Sequence, residues 1–248
     1  MIIPAILLSA VFVSIGFLVT KNNARYILSG YNMMSEQQRS LVDIEGYLRF
    51  FKRFHLFLGI SVFILVTGIS LFNENLAAFI LGIYPLLAYC FLTVKGSGYF
   101  SNVKNSKIWT KLVLGILLLT TCGVGYLFFN GFKDGEILLA GNNLEITGMY
   151  GEKISRDKIL DVKLVDALPE ISMKSNGFGA GDFRKGYFKT KDRKTVKLFV
   201  NNKEKQILLL NTTEGEIYFS SGDVGSKDLF LRVEKWRKNQ SYETRSTK

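Results

Sequence analysis

The sequence predicts an α+β membrane protein: four transmembrane helices, then an antiparallel β domain closed by a C-terminal helix. Three observations predict it. Apolar residues crowd the first 130 positions, and 39 of the 53 charged residues follow them, which separates a membrane-embedded half from a water-exposed half. Four apolar runs are each long enough to cross a hydrocarbon core, which needs about 20 helical residues. After Gly131 the pattern changes to short alternating runs between turn residues, the mark of antiparallel strands.

The four runs are Ile2–Thr20, Phe54–Phe72, Leu76–Val94 and Ile108–Phe129. None carries an interior Asp, Glu, Lys or Arg except Lys111, which lies near the start of the fourth and can snorkel to the interface. Only Asn73–Glu74–Asn75 joins the second and third, so those two form a tight helical hairpin. The first run has no basic residues ahead of it; Lys21 and Arg25 follow it, which favours an uncleaved span over a signal peptide.

Charge sets the expected orientation. The segment Lys21–Arg53 carries six Lys/Arg and Lys95–Lys111 carries four, whereas the N-terminus and the 73–75 turn carry none. Basic flanks stay in the cytoplasm. The expectation is a multi-pass protein of the cytoplasmic (inner) membrane with its N-terminus and its C-terminal domain extracytoplasmic. The net charge of +11 is traced in part to these flanks, and neither nucleic acid nor nucleotide is expected as a partner. Cys90 and Cys122 lie inside apolar runs and suggest neither a disulfide framework nor a zinc site.

Between the first two spans, Ser35 and Gln38 match a capping box, and Leu41, Ile44, Leu48 and Phe51 follow at helical spacing. Two readings stand here: an amphipathic helix over 35–50 at the inner membrane surface, or an extension of the second span. The stretch "LSGYNMMSEQQRSLVDIEGYLRFF", Leu28–Phe51, resembles a bacterial membrane family of unknown function. That family has a first span, a GYN-x-MS segment, a charged helix and a hairpin of spans. The resemblance covers about residues 1–95 and implies no activity.

In the second half the expected strands are Glu136–Ala140, Asn143–Thr147, Glu152–Arg156, Leu160–Val165, Gly186–Thr190, Thr195–Asn201, Gln206–Asn211 and Glu216–Ser220. Val196, Leu198 and Val200 alternate with Lys197 at period two. Ile207–Leu210 is apolar throughout, so both its faces are expected to be covered. A helix over Lys227–Lys238 carries the stripe Leu229, Val233 and Trp236. The resulting organisation is a four-helix domain over 1–130, a soluble domain over 131–240 and a disordered tail over 241–248.

The stretches "LEITGMYGEKISRDKILDVKLVDALPEISMKSNGFGAGDFRKGYF" and "LLLNTTEGEIYFSSGD" resemble the bacterial pleckstrin-homology (PH) domain. That resemblance implies a PH-like antiparallel β-barrel capped by its C-terminal helix, and a ligand- or partner-binding module rather than an enzyme. Some PH domains hold inositol phosphates near the first hairpin, and Lys153, Arg156 and Lys158 are the nearest equivalents. The turn there, about 148–151, lacks a long basic loop to wrap a phosphate.

The richest local feature is "KSNGFGAGDFRKGYF", Lys174–Phe188. A dinucleotide fingerprint needs G-x-G-x-x-G between a strand and a helix; Gly177 and Gly179 fit, but Asp182 stands at the third glycine and a strand pattern follows. A phosphate loop would need Lys and Ser/Thr after Gly186, where Tyr187 and Phe188 stand. What remains is a long glycine-rich inter-strand loop. As a binding loop it would offer Asn176 and Phe178, with Arg184 and Lys185 facing an acidic partner.

Catalytic constellations are missing. His55 is the sole histidine and lies at the second span, so the soluble half holds no Ser–His–Asp set. Asp157, Asp161 and Asp166 read as a solvated face, and no calcium-loop pattern is present. No cofactor or metal ligand set and no catalytic residue is assigned. The spans carry no midplane charge of the kind transporters use. The functional expectation is a non-enzymatic, membrane-anchored binding module with the lipid bilayer and a membrane or envelope protein as partners. The alternative is an accessory subunit of a transporter or envelope enzyme complex acting through its helices.

Overall fold

A computed structural model describes residues 1–222 and 225–243, and the chain divides into two units, Met1–Phe128 and Phe129–Lys248. The helical unit holds α1 (Ile2–Leu18), α2 (Ala24–Ile27), α3 (Glu36–Arg39), α4 (Ile44–Ser70), α5 (Glu74–Gly96) and most of α6 (Ser106–Gly131). Among the described residues three helices, not the expected four, are long and apolar enough to span a bilayer: α4, α5 with its 3-10 extension to Phe100, and α6. α1 is apolar but stops at 17 residues, about 25 Å at 1.5 Å per residue. The Asn23 carboxamide ends it by donating to Leu18 O (2.7 Å) while accepting from Thr20 N (2.7 Å).

The capping box forms, with Ser35 Oγ accepting from Gln38 N at 3.3 Å and Ser35 N donating to Gln38 Oε1 at 3.0 Å. Its helix ends at Arg39, however. A new helix starts at Ile44, where Asp43 accepts from Gly46 N at 2.9 Å. The single helix expected over 35–50 is therefore two pieces, because Asp43 offers a second cap inside it. From Ile44 onward the segment is an N-terminal extension of the second span.

α1 runs antiparallel to α4. At Gly59 a Cβ would lie 2.7 Å from Val13 Cγ2 and 2.9 Å from Ser9 O, so only glycine permits this approach. α4 is antiparallel to α5, and polar side chains pair inside that contact. His55 is fully buried, with Nδ1 2.8 Å from Phe51 O and Nε2 3.1 Å from Tyr89 Oη; Ser61 Oγ lies 2.8 Å from Tyr84 Oη. Phe128 of α6 meets Phe79 edge-on at 5.8 Å and lies over Gly82 of α5. The rest of α6 has little protein around it.

The second unit holds β1 (Ile137–Ala140), β2 (Asn143–Ile146), β3 (Glu152–Ser155), β4 (Ile159–Val165), β5 (Ile171–Ala180), β6 (Phe183–Thr190), β7 (Thr195–Asn201), β8 (Ile207–Thr212), β9 (Gly215–Phe219) and α7 (Ser226–Glu243). Nine strands form two sheets, ordered β1-β2-β3 and β4-β8-β9-β7-β6-β5. They do not close into the expected barrel. β4 and β5 are consecutive in the chain yet form opposite edges of the large sheet. β4 also carries a bulge in its ladder with β8 that leaves Leu160 unpaired, and the Leu160 carbonyl accepts from Arg237 Nη1 of α7 at 2.8 Å.

Ile207–Leu210 is covered on both faces, as its pattern predicts. Leu208 and Leu210 join Ile137, Leu144, Ile146, Phe199, Phe219, Leu229 and Val233 in one core, which small sheet, large sheet and α7 share. Ile207 and Leu209 join Phe188, Val196, Leu198, Val200 and Tyr218 in a second core on the other face, which Leu168 of the β4–β5 connection helps cover. The closing helix extends to Glu243, past the expected end at Lys238. Of the tail expected over 241–248, residues 244–248 lie outside the described residues.

Candidate functional site

The glycine-rich stretch is not a loop. It is the hairpin β5–β6, with Ala180 opposite Phe183 across a two-residue turn at Gly181 and Asp182. Gly181 has φ +54°, the positive value that a II′ turn needs at its first central position. Gly177 sits opposite Gly186, and a Cβ on Gly177 would lie 2.4 Å from Lys185 O. These two glycines let the strands pair closely.

The hairpin carries all four candidate residues but does not converge them. Asn176, Phe178 and Lys185 share one face, with Phe178 directly opposite Lys185; Arg184 points to the other face, opposite Gly179. Asn176 is exposed and accepts from Tyr150 Oη at 3.4 Å. Phe178 is turned inward: its ring lies over Gly131 and stands edge-on to Phe132 at 5.7 Å, while Phe132 also meets Phe183 at 5.8 Å. Lys185 is buried and donates to the Lys133 carbonyl. Burial pushes its pKa down from 10.5, opposed by the charge of nearby Asp134. Phe178 and Lys185 thus hold residues 131–134, the segment leading out of α6.

Toward solvent the hairpin offers the free edge of β5, which is exposed from Ser172 to Asn176. Two register shifts interrupt that edge, at Ser172 and Ser175. Ser172 Oγ donates to Lys189 O at 3.0 Å and Ser175 Oγ to Tyr187 O at 3.1 Å. Bulges of this kind blunt an edge against indiscriminate strand addition. The part over Asn176–Ala180 pairs in regular register. No sequence signal announced β5, because its glycines and serines are poor strand formers.

A cleft of about 150 Å³ opens between β3 and the starts of β7 and β9. Its charges are internally matched. Lys197, nearly buried, pairs with Glu152 at 2.7 Å, Lys158 with Glu214 at 2.5 Å, and Glu216 accepts from Tyr218 Oη at 2.8 Å. Of the basic residues the PH resemblance singles out, Lys158 is therefore committed. Arg156 stacks on Trp236 at 4.3 Å and donates to Gly141 O at 2.7 Å. Lys153 faces Glu145 across the strand pair. Among the described residues no group of three or more His, Cys, Asp or Glu is placed to hold a metal ion.

Comparison with known families fits this division of the chain. Residues 135–232, which hold the two sheets and the start of the closing helix, match the family described as bacterial PH domain. Residues 6–99 match a domain of unknown function, DUF3784, and include the GYN-x-MS segment. The chain thus joins a region that matches DUF3784 to a region that matches the bacterial PH domain. No curated protein and no solved structure matches it.

Proposed function

We propose that this protein is a non-enzymatic, membrane-anchored binding module: its apolar helices lodge in the bacterial cytoplasmic membrane, and its PH-like domain engages a protein partner of the membrane or envelope. The observation that carries this reading is the joining of a PH-domain match to helices of spanning length in one chain. The hairpin adds a contact surface, the short regular edge of β5 flanked by Lys174 and Arg184. The charge asymmetry supports an extracytoplasmic PH-like domain, since α6 starts among the basic residues and leads away from them.

Two experiments test it. With Cys90 and Cys122 replaced by serine, Lys205→Cys places a thiol at an exposed site. It should react with an impermeant maleimide in intact spheroplasts, and reaction only after lysis would reverse the orientation. Purified protein should turn over nothing in a broad hydrolase and transferase screen. Turnover that survives purification and is lost on Lys185→Met would refute the non-enzymatic reading.

A further inference from the structure

The helical unit gathers its cations at one end and leaves most of them without an anionic partner. Antiparallel packing of α1, α4 and α5 brings the C-terminal ends of α1 and α5 beside the N-terminal end of α4, and a short connection over 101–105 joins the α5 end to the start of α6. All ten Lys/Arg of the unit lie at or near those ends. Among the described residues only Lys21 forms a salt bridge there, to Glu45. Arg25, Arg53, Lys95, Lys104, Lys107 and Lys111 have none. In the PH-like unit a larger share is paired: Lys158, Lys163, Lys191, Lys194, Lys197, Lys203, Arg237 and Lys238 each sit within 4 Å of a carboxylate, while others such as Lys174, Arg184 and Lys189 do not.

These cations stand on a built surface. Residues 20–48 and 97–105 fold together around Ala24, Leu28, Tyr31, Val42 and Val103, and Asp43 N donates to Tyr99 O at 3.2 Å to join the two segments. Tyr47, Tyr99 and Phe100 cluster at the same end, with ring centroids 5.1 and 5.9 Å from that of Tyr47. Aromatic rings of this kind concentrate at the headgroup level of a bilayer. Lys52 Nζ lies 4.2 Å over the Phe17 ring, as a snorkelling lysine does along an apolar surface.

We infer that the basic end of the helical unit binds anionic phospholipid headgroups of the adjoining leaflet. Charge complementarity names the ligand, and position names its source. Arg53 and Lys111 lie within α4 and α6 themselves, where a headgroup phosphate is already adjacent and a soluble polyanion must approach along the membrane. This inference is independent of what the PH-like domain engages.

The test uses the full chain in nanodiscs of equal phosphatidylglycerol and phosphatidylcholine, with the lipids retained on brief detergent extraction counted by native mass spectrometry. Phosphatidylglycerol should be enriched, and each unpartnered cation lost should lower the enrichment by up to roughly fivefold. Combined Arg25→Gln, Arg53→Gln, Lys104→Gln and Lys107→Gln should therefore abolish it. The charge-conserving set Arg25→Lys, Arg53→Lys, Lys104→Arg and Lys107→Arg should retain it, as should Lys174→Gln with Lys189→Gln in the PH-like domain. Equal retention of both lipids by the wild type would overturn the inference. So would loss of enrichment in the charge-conserving set, or displacement of the lipid by millimolar polyphosphate, which would make a soluble polyanion the occupant.

Discussion

The two units distribute their apolar side chains in opposite ways. In the PH-like unit apolar side chains fill two cores and most charged side chains lie outside them, the arrangement water favours. The helical unit exposes large apolar residues along whole helices, such as Ile64, Phe91 and Leu119, and keeps polar pairs at its helix contacts. His55 with Tyr89 and Ser61 with Tyr84 are inside, where no lipid could satisfy them. The exposed leucines and the buried histidine of the helical unit follow from one rule. Each group lies where its surroundings match its polarity.

The largest effect should come from the PH-like core. Phe219 is fully buried, so Phe219→Ala should cost about 3–5 kcal/mol. Denaturant titration of the full chain should show the β signal lost early while the helical signal persists. A single joint transition would mean the units do not unfold separately.

The next test asks whether lipid is the solvent of the helical unit. Leu119 is 76% exposed. On a protein in water Leu119→Lys would be nearly neutral, whereas in the middle of a span it should cost about 2.5–3.5 kcal/mol. Membrane insertion of α6, scored by glycosylation mapping, should fall in that variant. Unchanged insertion would break the comparison.

A smaller effect concerns the polar pair within the helices. Tyr89→Phe removes the partner of His55 Nε2 and should lower thermal stability in detergent by about 0.6–1.7 kcal/mol, the range of such intramembrane bonds. The smallest effect is electrostatic. Arg237 and Lys238 hydrogen-bond to Glu234, and the Lys238 contact does most to hold its pKa below the usual 4.5. A depressed carboxylate adds stability above its unfolded value and loses it as pH falls through the folded one. Glu234→Gln should therefore be less stable than wild type at pH 7, with the gap closing below pH 4.5.

Most of the element pattern was legible where periodicity is strong. β7 reads directly from Val196, Leu198 and Val200, and the double coverage of β8 from its unbroken apolar run. The candidate site was less legible. Glycines 177, 179, 181 and 186 read locally as flexibility, but two of them serve a close strand pairing that exists only once β5 and β6 meet. Phe178 and Lys185 read as displayed residues, yet they turn inward onto residues 131–134. That choice rests on partners about 46 to 52 positions away in the chain, which local pattern does not carry. The capping box at Ser35 was read correctly, while the length of its helix was not, since Asp43 competes as a second cap.

By itself the sequence determined the two media, the apolar helices, the one-sided basic charge and the period-two strands, because hydropathy, charge and alternation are properties of local residue order. Only the tertiary structure decided the rest. It ended α1 at Leu18 through the Asn23 side chain and kept the large sheet open at β4 and β5. It also committed Lys158, Lys197 and Lys185 to internal partners while leaving most cations of the helical unit without a carboxylate partner. Those outcomes depend on which distant groups meet within hydrogen-bonding reach, and only the folded chain brings them together.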